Sequence, residues 1–268
     1  MNQKFGFIGA GNMGGALAQA AAKAMPGENI FIADLLPEKA EALAKKLGCN
    51  HAEGTAVAWK CGFIFLGVKP QVMGSTLASL AEELRARADS FVLVSMAAGV
   101  SIADIRRMAG ADYPVIRIMP NIPASTGGGV ILYDYTENVP QEAVAVFCEG
   151  MRFAGIVDHL PEKLIDAASA LSGCGPAFVS LFVEALADGA VACGLPRDKA
   201  MLYAMGTVEG TAKMLRESGM HPAQLKDAVC SPGGTTIEGV RTLEEGGLRG
   251  TTMNAVISAY DKTCRVGK

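Results

Sequence analysis

Gly9-Ala10-Gly11-Asn12-Met13-Gly14 places three glycines at G-x-G-x-x-G spacing, directly after the apolar stretch Phe5–Ile8 and directly before an alanine-rich run. In a strand–turn–helix setting the first glycine permits a tight turn and the second lets the backbone approach a pyrophosphate. The third allows close helix–strand packing, and the helix N-terminus adds N–H donors and a positive dipole end. The chemistry this predicts is dinucleotide binding. A second apolar stretch ends in Asp34, 20 residues beyond Gly14, which is the context the fingerprint requires. A carboxylate there suits a ribose 2′-hydroxyl and favours NAD(H) over NADP(H) on charge. The same residue, beside Leu35-Leu36-Pro37, could instead cap the next helix. Lys39 is the nearby cation able to reach a 2′-phosphate.

Three later apolar stretches end in small, kinked or polar turns: Gly67-Val68-Lys69-Pro70, Ser95-Met96-Ala97-Ala98-Gly99 and Met119-Pro120-Asn121. Ligands of open parallel sheets bind beyond the carboxyl ends of the strands. Val68, Lys69, Pro70, Ala97, Gly99 and Asn121 are therefore expected along the nicotinamide. Lys69 is the charged residue among them, and a lysine at a helix start opposes the dipole unless a ligand uses it. Further on, Ser231-Pro232-Gly233-Gly234-Thr235-Thr236 brings free N–H groups, hydroxyls and a dipole end together, a seat for a small carboxylate. Ser172-Gly173-Cys174-Gly175-Pro176-Ala177 fits either close backbone packing or substrate contact.

The elements that must carry these turns follow from pattern. Strands are expected at Lys4–Gly9, Asn29–Asp34, Gly62–Val68, Phe91–Ala97 and Val115–Pro120, with helices at 13–24, 37–47, 71–87 and 101–110 between them. Gly127–Tyr135 and Phe153–Leu160 read as further strands around a helix at 140–151. Apolar strands separated by helices imply an α/β Rossmann-type domain with a mainly parallel sheet covered on both faces. After Pro161 the strand signals vanish. This predicts a dinucleotide-binding domain over 1–160 and an all-α domain over 161–268. The uncharged run Ala167–Val183 reads as a deeply buried helix start, short of a membrane span and acidic at both ends.

Composition narrows the function. The 268 residues carry a net charge of −3, so no broad basic surface exists for nucleic acid. Seven cysteines without a C-x-x-C pair and three scattered histidines fit neither a disulfide framework nor structural zinc, so no metal is expected. Reduced thiols and an N-terminus without a signal-peptide core place the protein in the cytoplasm, off the membrane. Glycine is abundant, at 32 residues, which asks for specific backbone roles.

The N-terminal GxGxMG loop, the Val68-Lys69-Pro70 and Met119-Pro120-Asn121 turns, Ser-Gly-x-Gly-Pro-Ala at 172–177 and Ser-Pro-Gly-Gly-x-Thr at 231–236 together resemble the pyrroline-5-carboxylate reductase family. The resemblance runs end to end. Cys174 stands where that family usually has serine, and Phe178 where tyrosine is common. What the resemblance implies is reduction of the cyclic imine Δ1-pyrroline-5-carboxylate to proline by NADH or NADPH. It implies Thr236 as the catalytic hydroxyl at the ring nitrogen, with Ser231, Gly233, Gly234 and Thr235 around the substrate carboxylate. It further implies a homo-oligomer built on a dimer through the helical domain. A β-hydroxyacid dehydrogenase shares the opening loop but uses a lysine on its central helix, and no lysine lies between Lys163 and Lys199. A dinucleotide sensor without turnover has no need of the second seat at 231–236.

Overall fold

Successive side chains of a strand point to opposite sheet faces, so a wholly apolar strand needs cover on both sides. Phe63-Ile64-Phe65-Leu66 is such a strand: Phe63 and Phe65 pack in one core with Phe5, Phe7, Leu17 and Phe147, while Ile64 and Leu66 pack in another with Ile8, Val57, Met73 and Ile105. The computed structural model describes residues 2–266. Its first part runs β1 (Phe5–Ile8), α1 (Asn12–Ala24), β2 (Ile30–Ala33), α2 (Pro37–Leu47), β3 (Asn50–His51), α3 (Gly54–Lys60), β4 (Phe63–Leu66), α4 (Met73–Ser79) and α5 (Ala81–Ala86). It continues through β5 (Val92–Ser95), α6 (Ile102–Ala109), β6 (Val115–Met119), β7 (Gly129–Tyr135), α7 (Gln141–Met151) and β8 (Gly155–His159). Then follow α8 (Glu162–Ser172), α9 (Gly175–Ala192), α10 (Arg197–Ser218), α11 (Pro222–Val229), α12 (Thr235–Glu245) and α13 (Leu248–Val266).

The eight strands are ordered β3-β2-β1-β4-β5-β6-β7-β8, parallel throughout except for β6 against β7. That reversal has a simple cause. Residues 120–128, wound into a 3-10 turn at Ile122–Thr126, are too few for the crossover that a parallel neighbour needs. The order changes direction between β1 and β4, the switch point where such sheets open a crevice. Ser101 and Asp104 form a reciprocal capping box at the start of α6.

Three expectations change. The single helix over 71–87 is a 3-10 turn at Pro70–Val72 followed by α4 and α5, which part at Leu80, where the Leu80 N–H bonds the Leu77 carbonyl as a tightened turn. The pair β3–α3 is absent from the sequence reading, because two residues of strand and seven of helix leave no periodic signal. Ala167–Val183 is neither one helix nor deeply buried. It spans the turn between α8 and α9, and among its residues only Ala170 is buried.

The strands end at His159, near residue 160, whereas the compact units part at Gly173: one holds the chain up to there and the return of α13 from Tyr260, the other Cys174–Ala259. The reason is α8. Its Ile165 is buried with Met119 and Leu132, and its Glu162 and Asp166 pair with the buried Arg117 of β6 at 3.0 and 2.9 Å. A buried guanidinium needs such partners, so α8 is held on the sheet.

Candidate functional site

Parallel strands carry their turns to one edge of the sheet, so the ends of β1, β4, β5 and β6 stand together. At the end of β1, Gly9 has φ +110°, and a Cβ there would lie 2.4 Å from the Gly67 carbonyl oxygen in the turn after β4. A Cβ on Gly14 would lie 2.0 Å from the Gly9 carbonyl oxygen. Both glycines are thus demanded by the fold itself. Gly11 differs: a Cβ there meets nothing within 4 Å. It is the N-cap of α1 and offers no side-chain oxygen to the helix start, and no acidic residue lies in the first turn. The loop is closed on the protein side and bare on the other, a cradle that fits the pyrophosphate of a dinucleotide.

Asp34, at the end of β2, accepts hydrogen bonds from the Ala10 N–H at 2.7 Å and the Leu36 N–H at 3.0 Å. It does not cap α2, whose N-cap Leu36 has no side-chain bond. Its carboxylate braces the glycine loop against the next turn, a role the sequence reading lacked. On the other side of the switch point, Lys69 is exposed beside the partly buried Val68, and Pro70 opens a 3-10 turn. Ala97 is buried, its N–H near the Ser95 hydroxyl, and Gly99 turns the chain with φ +72°.

Asn121 departs from expectation. Its side chain is buried and spent within the protein: Nδ2 donates to the Ser172 carbonyl and Oδ1 accepts from the Val130 N–H, both at 2.8 Å. The amide ties the end of β6 to the start of β7 and the end of α8. Its backbone, not its side chain, is what stands at the sheet edge.

In the helical unit, Cys230–Gly234 turns into α12. Gly233 has φ +66°, the Gly234 N–H bonds the Ser231 carbonyl at 3.0 Å, and Gly234 is an N-cap without a side-chain bond. Ser231 and Thr235 are exposed and Thr236 is half-buried, so hydroxyls and open helix N–H groups share one turn. Cys174 is the N-cap of α9 without a side-chain bond, and Phe178 is half-buried. All seven cysteines are free; burial pushes the Cys61 thiol up to about 12, so at neutral pH it stays protonated and inert.

The helical unit also leaves large apolar side chains bare: Val179, Leu181, Phe182, Leu202, Tyr203, Met205 and Met253 are among them. By length and composition Glu162–Ala192 would also reach across a membrane, but the turn at Gly173–Cys174 divides it. Residues 162–266 match the family described as pyrroline-5-carboxylate reductase dimerisation, and residues 4–99 match NADP oxidoreductase coenzyme F420-dependent. The chain is 40% identical to pyrroline-5-carboxylate reductase of Escherichia coli over 272 residues, covering all of both chains. This chain belongs to the pyrroline-5-carboxylate reductase family. The Methanosarcina acetivorans reductase is likewise 40% identical, over 100% of this chain and 99% of its own. The crystal structure of Plasmodium falciparum pyrroline carboxylate reductase with NADP bound superimposes with a TM-score of 0.87 at 34% identity, covering 99% of this chain and 98% of that one. Membership gives the bare helical faces a reason, since this region of the family is a dimerisation region. The rival hydroxyacid dehydrogenase reading falls with it.

Proposed function

We propose that the chain reduces the C=N bond of Δ1-pyrroline-5-carboxylate to proline, the last step of proline biosynthesis, with hydride from NADPH or NADH. The full-length likeness at 40% identity carries this reading. The chain's own residues make chemical sense of it. A protonated cyclic imine already accepts hydride readily, so the protein needs to position it rather than activate it. The nicotinamide, when bound, supplies the hydride to the imine carbon, and the ring nitrogen gains the electron pair of the C=N bond. The glycine loop Gly9–Gly14 takes the pyrophosphate on the N–H groups of α1. Val68, Lys69, Pro70, Ala97, Gly99 and the backbone of Asn121 form the edge along which the nicotinamide lies. Ser231 and the N–H groups of Gly233, Thr235 and Thr236 receive the substrate carboxylate, where the dipole of α12 favours negative charge, and Gly234, whose own N–H is held by the Ser231 carbonyl, shapes the turn that bares them. The Thr236 hydroxyl meets the ring nitrogen and holds its proton.

The working form is a homodimer, with the exposed apolar faces of α9 and α10 buried against a second copy. Seven free cysteines suit a reducing cytoplasm. Thr236→Ala is expected to lower kcat/KM for imine reduction more than tenfold while the affinity for reduced dinucleotide stays intact. Unchanged kinetics, followed at 340 nm, would remove Thr236 from the mechanism.

A further inference from the structure

The chain enters the turn at 231–236 through α11, a helix of eight residues. So short a helix is marginal in water and depends on packing or on its ends. Packing contributes little, since α11 buries none of its residues in the single chain. Its start is well made. Pro222 fills the first helical position, where its missing N–H costs nothing. The N-cap is His221: its ring Nδ1 accepts the Ala223 N–H at 3.2 Å, and the Gln224 Oε1 accepts the His221 N–H at 3.1 Å in return. At the far end the Cys230 N–H bonds the Asp227 carbonyl, and the next residue is Ser231, whose carbonyl holds the Gly234 N–H. A single residue, Cys230, thus separates the capped helix from the turn.

Histidine is an unusual choice here, since serine, threonine, asparagine and aspartate are the preferred caps. Unlike them, histidine side chains change charge between about pH 5 and 8. Accepting the Ala223 N–H takes a lone pair on Nδ1. The bond therefore exists with the neutral ring and fails with the imidazolium, in which both nitrogens carry hydrogen. The imidazolium also sets positive charge against the positive end of the α11 dipole. The cap is in place at the upper end of that range and is lost as the pH falls through it. Among the described residues no carboxylate or cation bonds the ring. The charged side chains around it in the chain are Arg216 and Glu217 at the end of α10 and the Lys226–Asp227 pair on α11, with Arg249 of α13 near Lys226.

We infer that, given the substrate seat proposed above, His221 is a positioning residue: its neutral ring caps α11 and so holds the turn at 231–236 ready for the substrate carboxylate. The test compares the full chain with His221→Asn, which caps without titrating, and His221→Ala, which cannot cap. For each, kcat and the KM for the imine are measured at pH 8 and pH 5.5. The substrate's own titration and all other ionisable groups are common to the unaltered protein and the Asn variant, so their ratio isolates residue 221. At pH 8 the two should agree within twofold. At pH 5.5 the unaltered protein should show a KM for the imine at least threefold above that of the Asn variant, with kcat and the KM for reduced dinucleotide within twofold. His221→Ala should raise the KM for the imine at least threefold at pH 8. A ratio of unaltered to Asn protein that stays the same at both pH values would overturn the inference, as would an Ala variant equal to the Asn variant at pH 8. If His221→Ala does not fold, the Asn comparison decides alone. Should no imine reduction occur, the reaction assigned above fails, and hydrogen exchange decides the role of the cap. At pH 5.5 the amides of residues 223–236 should exchange at least threefold faster in the unaltered protein than in His221→Asn, and equal exchange would refute it.

Discussion

In the sheet unit the large side chains Phe5, Phe7, Phe63, Phe65 and Phe147 are fully buried, whereas among the described residues of Cys174–Ala259 the buried apolar side chains are Ala187, Ala200 and Ala204. The first unit closes two cores on either face of its sheet; the second packs α9 on α10 through small residues and leaves Leu181 66% and Leu202 55% exposed. Burying such a side chain is worth about 1.5–3 kcal/mol. A unit that forgoes this many times over has a face suited to a partner, in keeping with the dimerisation family that residues 162–266 match. The difference separates two kinds of function. On the function proposed above, the sheet unit would bind its ligand with its own backbone, and the helical unit would present its ligand turn on a scaffold that a second copy completes.

The largest effect should come from breaking that completion. Leu181→Glu combined with Leu202→Glu is expected to give a monomer by light scattering at micromolar concentration and to lower imine reduction at least tenfold. A dimer of unchanged mass would show that these faces are not the interface. Within the sheet unit the glycine loop sharpens the contrast between fold and ligand. Gly14→Ala should unfold the loop, since its Cβ would lie 2.0 Å from a backbone oxygen. Gly11→Ala, facing open space, should keep the melting temperature and weaken dinucleotide binding tenfold or more. If Gly11→Ala binds normally in a fluorescence titration, the loop is not the pyrophosphate seat. The smallest effect belongs to the brace between β6, β7 and α8. Asn121→Ala orphans the Ser172 carbonyl and the Val130 N–H and should cost about 1–3 kcal/mol of stability by urea unfolding, with the Kd for the dinucleotide little changed. A large loss of cofactor affinity without loss of stability would return the Asn121 side chain to the nicotinamide.

Much of this was legible in the chain itself. Apolar stretches and glycine spacing place β1, β2, β4, β5 and β6 and mark Gly9, Gly11 and Gly14, because strand and turn preferences are local. The glycine turn at Ser231–Thr236 is local too, since it feeds one helix. Features that join distant residues were not legible. Asp34 looked like a ribose ligand or a helix cap, and nothing within its own segment points to the Ala10 N–H. The pair β3–α3 drew no notice, since β3 exists only by pairing with β2. Asn121 looked like a ligand because it ends a strand, and only the fold supplies Ser172 and Val130 to occupy it.

The sequence alone determined most of the alternation of strands and helices, the glycine cradle and the presence of a second, helical region, because these depend on neighbours a few residues apart. Tertiary structure decided what each singled-out residue has left to offer a ligand. Hydrogen-bonding capacity is finite, and which atoms are already spent depends on partners from remote parts of the chain. The same holds for burial. The apolar run at Ala167–Val183 is written in the sequence, but of its residues the single chain buries only Ala170.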